Sequence, residues 1–270
     1  MKISHLYIYP VKSLAPVALQ EAEVWQLGLK GDREVMLVDV HGKFITQRTR
    51  PQLTRFQVFL QDSSVLIKDK ISKSEFVFCS DDFQNQIQKV QIWDDEVQNV
   101  LENDKGSKWF SSLLDEKVFL VQMNYAFNRK ISPKHYTDYS HLTSFADSLP
   151  ILLCTSASFK VVEKDYGSYD YLRFRPNIII ENQISFEEDF WDVIEVNGLE
   201  LQNKKCCARC NLINLDPQTA VLDKSFLGKL SVYRTFQHKV NFGVQMVPLM
   251  GGKIQVGDTV HLKSIKNALV

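Results

Sequence analysis

The stretch Ile194-Glu195-Val196-Asn197-Gly198-Leu199-Glu200-Leu201 reads as two strand arms around an Asn-Gly pair. A two-residue hairpin turn needs positive φ at both central positions, which Asn and Gly tolerate, so the stretch predicts an antiparallel hairpin. Its second arm runs on into Lys204-Lys205-Cys206-Cys207-Ala208-Arg209-Cys210, followed by Asn211-Leu212-Ile213-Asn214-Leu215-Asp216-Pro217. The cysteines therefore leave a strand and enter a tight turn.

Outward from that hairpin the chain is rich in short strands. Ile3 to Tyr9 alternates and stops at Pro10; Glu34–Val40 and Lys43–Gln47 flank His41-Gly42. Phe56–Leu60 and Val65–Ile67 flank the turn 61–64, and Ser74–Cys79 and Val90–Ile92 continue the pattern. Trp109, Phe110, Leu113 and Leu114 fall at helical spacing, and Val118–Gln122 reads as a buried strand. A long polar stretch, Asn124–Leu149, carries Arg129, Pro133, His135 and His141, and a loop of that length is read as functional or mobile. Pro150–Cys154 predicts a strand, Thr155-Ser156 a helix cap, and Asn177–Ile180 another strand. A helix is expected near Ser225–Tyr233, then strands at Val240–Met246 and Lys253–Leu262, the latter turning at Val256-Gly257-Asp258. Trp191, Phe190 and Trp109 are assigned to the core. Many short strands with few helices point to a barrel or sandwich, and the regular strand-helix alternation of a parallel sheet is missing.

With 32 basic and 32 acidic residues in 270, the net charge is zero, which argues against a basic nucleic-acid face or a polybasic membrane surface. No apolar run approaches the ~20 residues that span a bilayer, and the N-terminus lacks a signal-peptide pattern. Five cysteines, three crowded at Cys206, Cys207 and Cys210, do not form a secreted disulfide framework, so a reducing, cytoplasmic setting is expected. Neither a Gly-x-Gly-x-x-Gly fingerprint nor a Walker-type loop occurs.

Cationic neighbours lower a thiol's pKa, and thiolates bind soft metals, so Lys204, Lys205 and Arg209 make the cysteine turn the chief candidate for chemistry. Residues alone leave several readings open. A structural zinc site lacks its second ligand pair, a thioredoxin-type pair lacks its helix, and buried cysteines acting as small hydrophobes remain the plain alternative. Two stretches read as anion receptors: Arg173-Phe174-Arg175-Pro176-Asn177 and Pro10-Val11-Lys12-Ser13, which Arg33, Arg48 and Arg50 could join. Asp147 could orient a water or a protonated substrate group, or simply serve a turn.

The segment Cys207-Ala208-Arg209-Cys210 with Leu215-Asp216-Pro217-Gln218-Thr219 resembles the signature of MOSC-domain proteins, in the branch that includes the mitochondrial amidoxime-reducing component and its bacterial relatives. Tyr9-Pro10-Val11-Lys12-Ser13, Gly31-Asp32-Arg33, Thr46-Gln47-Arg48 and Ile92-Trp93-Asp94-Asp95 resemble the associated N-terminal domain, and Phe242-Gly243 and Val256-Gly257-Asp258 the MOSC barrel. The resemblance implies a mainly β (α+β) chain, with an N-terminal MOSC-associated domain at 1–120 and a MOSC β-barrel at 121–270. It implies a molybdenum-molybdopterin cofactor whose metal is bound by Cys210. Lys12, Ser13, Arg33, Arg175, Asn177, Ala208 and Arg209 map onto its phosphate and pterin contacts, with Asp147 and Ser148 beside the metal. Ala208 stands where relatives carry Ser, so only its backbone can contribute, and Ala220 replaces a glycine. The implied activity is reduction of N-hydroxylated compounds, with electrons from a separate flavoprotein or iron-sulfur protein; a non-catalytic cofactor or sulfur carrier is the alternative.

Overall fold

A computed structural model describes residues 1–124, 126, 129–131 and 142–266 of the protein. The chain is mainly β, with three α-helices among the described residues. Contacts divide it into two units: Met1–Ile8, Ala18–Lys30 and Leu149–Val270 form one, and Tyr9–Val17 with Gly31–Ser148 the other. The N-terminal strand thus belongs with the C-terminal half.

In the first unit, seven strands of a nine-stranded sheet run His261–Ile265, Trp191–Val196, Leu199–Ala208, Lys239–Pro248, Ile151–Thr155, Ile178–Glu181 and Lys2–Ile8 in hydrogen-bonded order. Only Ile151–Thr155 with Ile178–Glu181 pairs parallel in this series; the rest is antiparallel. The Asn197-Gly198 hairpin forms as read, with φ of 50° and 79° at its two turn residues. Trp191 is buried, whereas Phe190, expected in the core, is half exposed because neighbours at a strand start face opposite sides.

Thr155 caps the helix Ser156–Tyr166 by accepting from the Ser158 N–H. Behind this cap lies Glu188, fully buried, with Oε2 at 2.9 Å from Thr155 Oγ1 and 3.0 Å from Ser158 Oγ, while Oε1 has no partner. Burial, with a smaller push from Asp189, raises its carboxyl to about 7. A carboxyl whose folded pKa is raised keeps a proton that the unfolded chain has released, so stability falls as pH rises from about 4.5 to about 7. The fall amounts to roughly 3 kcal/mol by linkage. Thermal unfolding of Glu188→Gln across that window is expected to lose most of this slope and to exceed the parent at pH 8. An unchanged slope would refute the assignment.

In the second unit, Val35–Val38, Phe119–Gln122, Asp95–Asn103 and Asn85–Ile92 form a four-stranded sheet, and Phe56–Gln61, Ser64–Asp69 and Glu75–Phe78 a three-stranded one. The helix Asp104–Leu114 sends Phe110 and Leu114 into a core with Leu14, Leu37, Phe56 and Leu120. At His41-Gly42 the turn is present but the second arm shrinks to a bridge, Val38 to Phe44. Pro133, His135 and His141 of the long polar stretch lie outside the described residues. Among the described residues no helix is long and apolar enough to cross a membrane.

Candidate functional site

The candidate residues fall into two sets, one in each unit. In the first unit, the strand Leu199–Ala208 carries consecutive cysteines to opposite sides. Cys206 Sγ lies 3.6 Å from Asp189 Oδ1, and burial pushes its thiol up to about 12. Cys207 Sγ accepts from Arg209 Nη1 at 3.1 Å and from Gln245 Nε2 at 3.6 Å. Strand pairing ends at Ala208 opposite Asn241, and Arg209 N–H still donates to Val240 O at 2.7 Å. Cys210 then begins the 3-10 turn Asn211–Asn214 with extended backbone, φ −113° and ψ 179°, and its side chain makes no capping bond.

None of the five cysteines is in a disulfide, and of them Cys210 alone is exposed. Burial raises the Cys154 thiol well above the usual range. Cys207 to Cys210 covers three residues of largely extended chain, about 10 Å, beyond the ~7 Å Cα reach of a disulfide. Among the described residues no group of three or more His, Cys, Asp or Glu side chains is placed to hold a metal ion. In the folded protein, iodoacetamide is therefore expected to label Cys210 first and Cys79 more slowly; Cys154, Cys206 and Cys207 should wait for denaturant. Peptide mass spectrometry reads the order, and early labelling at Cys207 would contradict it.

Around the turn, Arg209 is anchored by Nη2 to Phe174 O at 2.7 Å, while its buried Nε has no partner among the described residues. Arg175 follows the 3-10 turn Tyr171–Phe174 in left-handed backbone, φ 58°, its N–H donating to Leu172 O at 2.9 Å. Asn177 is fully buried: its Oδ1 accepts from Leu152 N at 3.1 Å and its Nδ2 donates to Tyr7 O at 3.1 Å. Its side chain thus staples backbone segments together. Arg173, read with Arg175 as an anion receptor, instead bolts the loop after the cysteine turn, donating to Ile213 O at 3.2 Å and Asp216 Oδ2 at 3.3 Å. Asp216 also accepts from Gln218 N and Thr219 N, closing a turn in which Ala220 sits at φ 61°, the conformation that glycine adopts without strain.

In the second unit Lys12 is buried, donating to Phe145 O at 2.7 Å and Asp147 Oδ1 at 2.5 Å. Burial lowers its pKa to about 8 despite the opposing pull of Asp147. Asp147 also accepts from Trp93 Nε1 at 3.2 Å and Arg48 Nη1 at 3.5 Å. Desolvation pushes its carboxyl up, but Lys12 and Arg48 overcome this and hold it well below the usual carboxylate range. Ser13, buried at φ 68°, follows Lys12, and Ser148 follows Asp147. Arg33, also left-handed at φ 53°, pairs with Asp32 and lies 4.5 Å over the Tyr9 ring. Asp32 is buried and accepts from Tyr9 N at 2.8 Å, which fixes Arg33 in turn.

Of the flanking arginines, Arg33 and Arg48 join this set. Arg50 makes a bidentate pair with Glu116, both bonds 2.7 Å. Sequence reasoning did not single out Gln245, Trp93 or Asp32 as site residues. The signal for Trp93 was its place in a short turn between strands, where a tryptophan has no core to fill; Gln245 left none, since its role arises only by strand pairing with Lys205.

Two family models match the chain in succession, with bounds that differ from those of the two units. Residues 1–117 match the MOSC N-terminal beta barrel domain, and residues 140–261 match the MOSC domain. The chain belongs to the MOSC-domain proteins that carry this N-terminal barrel. It is 27% identical over 281 residues to mitochondrial amidoxime reducing component 2 of Macaca fascicularis, covering 96% of this chain and 82% of that one. It is 26% identical to the human mitochondrial amidoxime-reducing component 1, with the same coverage of each. It is also 29% identical to human molybdenum cofactor sulfurase over 91% of this chain, but spans only 30% of that protein.

Proposed function

We propose that this chain binds molybdenum cofactor through Cys210 and reduces N-hydroxylated compounds. The observation that carries the reading is Cys210 itself, the one exposed thiol, set beside the anchored guanidinium of Arg209. The residues fit such a group chemically. A soft sulfur donor suits the metal, and Arg209 Nε is a buried donor with no partner among the described residues. Arg175 and the backbone N–H groups near Ala208 would bind pterin and phosphate oxygens in the first unit, where Asn177 holds the backbone; Lys12, Ser13 and Arg33 supply cationic and hydroxyl donors in the second. When bound, the cofactor would supply the two-electron chemistry that removes oxygen from an N-hydroxyl group.

Asp147, kept ionised by Lys12 and Arg48, would accept a hydrogen bond from the substrate's N–H or O–H, with Ser148 beside it. The overall change consumes two electrons and two protons and releases water, the electrons coming from a separate flavoprotein or iron-sulfur protein. The names of the amidoxime-reducing relatives support the substrate class. Lys12 carries its proton only below about pH 8, so the rate is expected to fall as pH rises through that value. A flat profile from pH 7 to 9 would contradict this role.

Similarity to molybdenum cofactor sulfurase favours a second reading, a carrier of cofactor or sulfur. Benzamidoxime reduction by metal-loaded protein with reduced methyl viologen separates the two. Turnover supports the reductase, and bound molybdenum without turnover supports the carrier.

A further inference from the structure

We infer that Arg129, fixed by Asp95, is a positioning residue for Asp147, an inference that rests on the role proposed above for that carboxylate. Arg129 is buried, and its Nη1 donates to two backbone carbonyls, Ser144 O at 2.8 Å and Ala146 O at 2.7 Å. Between them, Phe145 O accepts from Lys12 Nζ at 2.7 Å. Three successive carbonyls are therefore held by two cations, immediately before Asp147. The segment 143–150 is irregular, without strand or helix, so no regular ladder sets its path. Cation-to-carbonyl bonds do that, together with two backbone bonds, Thr143 N–H to Arg129 O at 3.0 Å and Phe145 N–H to Arg33 O at 2.8 Å.

The other end of Arg129 explains how the carboxylate is aimed. Its Nη2 donates to Asp95 Oδ2 at 2.6 Å. Asp95 opens the strand that follows the hairpin tip at Trp93-Asp94, and Trp93 from that tip donates its indole N–H to Asp147 Oδ1. A closed ring results: Asp147 to Trp93, through the tip to Asp95, across to Arg129, and back through Ala146 O. A planar guanidinium can serve the two carbonyls and the carboxylate at fixed angles, which a lysine ammonium cannot reproduce. Among the described residues, Arg129 Nε, Thr143 Oγ1 and Ser144 Oγ are buried with no partner. Such atoms on Arg129 and on the segment it holds mark a site not optimised for stability alone.

The test reads the ring with and without catalysis. In protein labelled with 15N-tryptophan, the Trp93 indole resonance is assigned by its loss in Trp93→Phe. It is expected to move in Asp147→Asn, and to move likewise in Arg129→Gln and in Asp95→Asn. In metal-loaded protein each of the latter two is expected to lower kcat for benzamidoxime about tenfold to a hundredfold, with KM and molybdenum content unchanged. The double variant should lose no more than either single, and Arg129→Lys should recover only part. An unmoved resonance, or additive losses that track lost metal, overturns the inference and leaves the proposed function standing. Loaded parent protein without turnover overturns that function instead, and the resonance still decides the ring. Should Arg129→Gln fail to fold, Asp95→Asn carries both readouts.

Discussion

Cys210→Ser is expected to lower benzamidoxime reduction at least about a thousandfold while shifting thermal unfolding by no more than about 2 °C. The two halves of that expectation have separate causes. Cys210 is exposed, so exchanging its sulfur opens no cavity in the core. Serine keeps the size but offers a hard, protonated oxygen where the proposed metal needs a soft thiolate. The same exchange at Cys207 should behave differently, since its sulfur receives Arg209 and Gln245 in a buried setting. There, lost stability should accompany any lost activity. Equal activity in Cys210→Ser and the parent would end the present account.

Gly243→Ala is expected to be the most damaging small substitution for the fold. Gly243 lies in the strand Lys239–Pro248 at φ 70°, where a side chain alone costs about 1 kcal/mol. An added Cβ would also sit 2.6 Å from Cys154 Sγ and 2.7 Å from Leu153 O. The second contact is to backbone of the paired strand, which cannot swing aside as a flexible side chain would. The combined loss should reach about 3–4 kcal/mol, or roughly 10 °C in Tm. Because the same strand pairs with Leu199–Ala208, the disturbance reaches the cysteine turn as well. Gly257→Ala is the control: φ is 95° there but nothing lies within 4 Å of the new Cβ. Thermal unfolding should separate the two variants by several degrees, and similar values would show that the strands yield.

Elements set by local turn chemistry were legible in the sequence. Asn197-Gly198 and the turn 61–64 declared their hairpins because positive φ restricts which residues stand there. The strand Asp95–Asn103 was not read, since its buried residues Val97, Val100 and Asn103 recur every third position, with Asn99 at φ 56° interrupting the alternation. That spacing matches neither a strand face nor a helix. The division into units was also hidden, because Lys2–Ile8 pairs with Ile178–Glu181, far along the chain.

The candidate site shows the same limit. The cysteine turn stood out by crowding and charge, but exposure, which separates Cys210 from Cys206 and Cys207, depends on which strand face is covered. Arg48, Arg50, Arg173 and Arg175 look alike as residues. Only their partners divide them, with Glu116 claiming Arg50 and Asp216 claiming Arg173. Asp32 and Arg129 act through other residues, and no local pattern announces such pairings.

The most direct measurement of the central claim is the molybdenum content of protein made in a host that synthesises the cofactor. About one molybdenum per chain is predicted for the parent, and close to none for Cys210→Ser folded to the same Tm. Molybdenum missing from the parent, or kept in full by Cys210→Ser, would contradict the account.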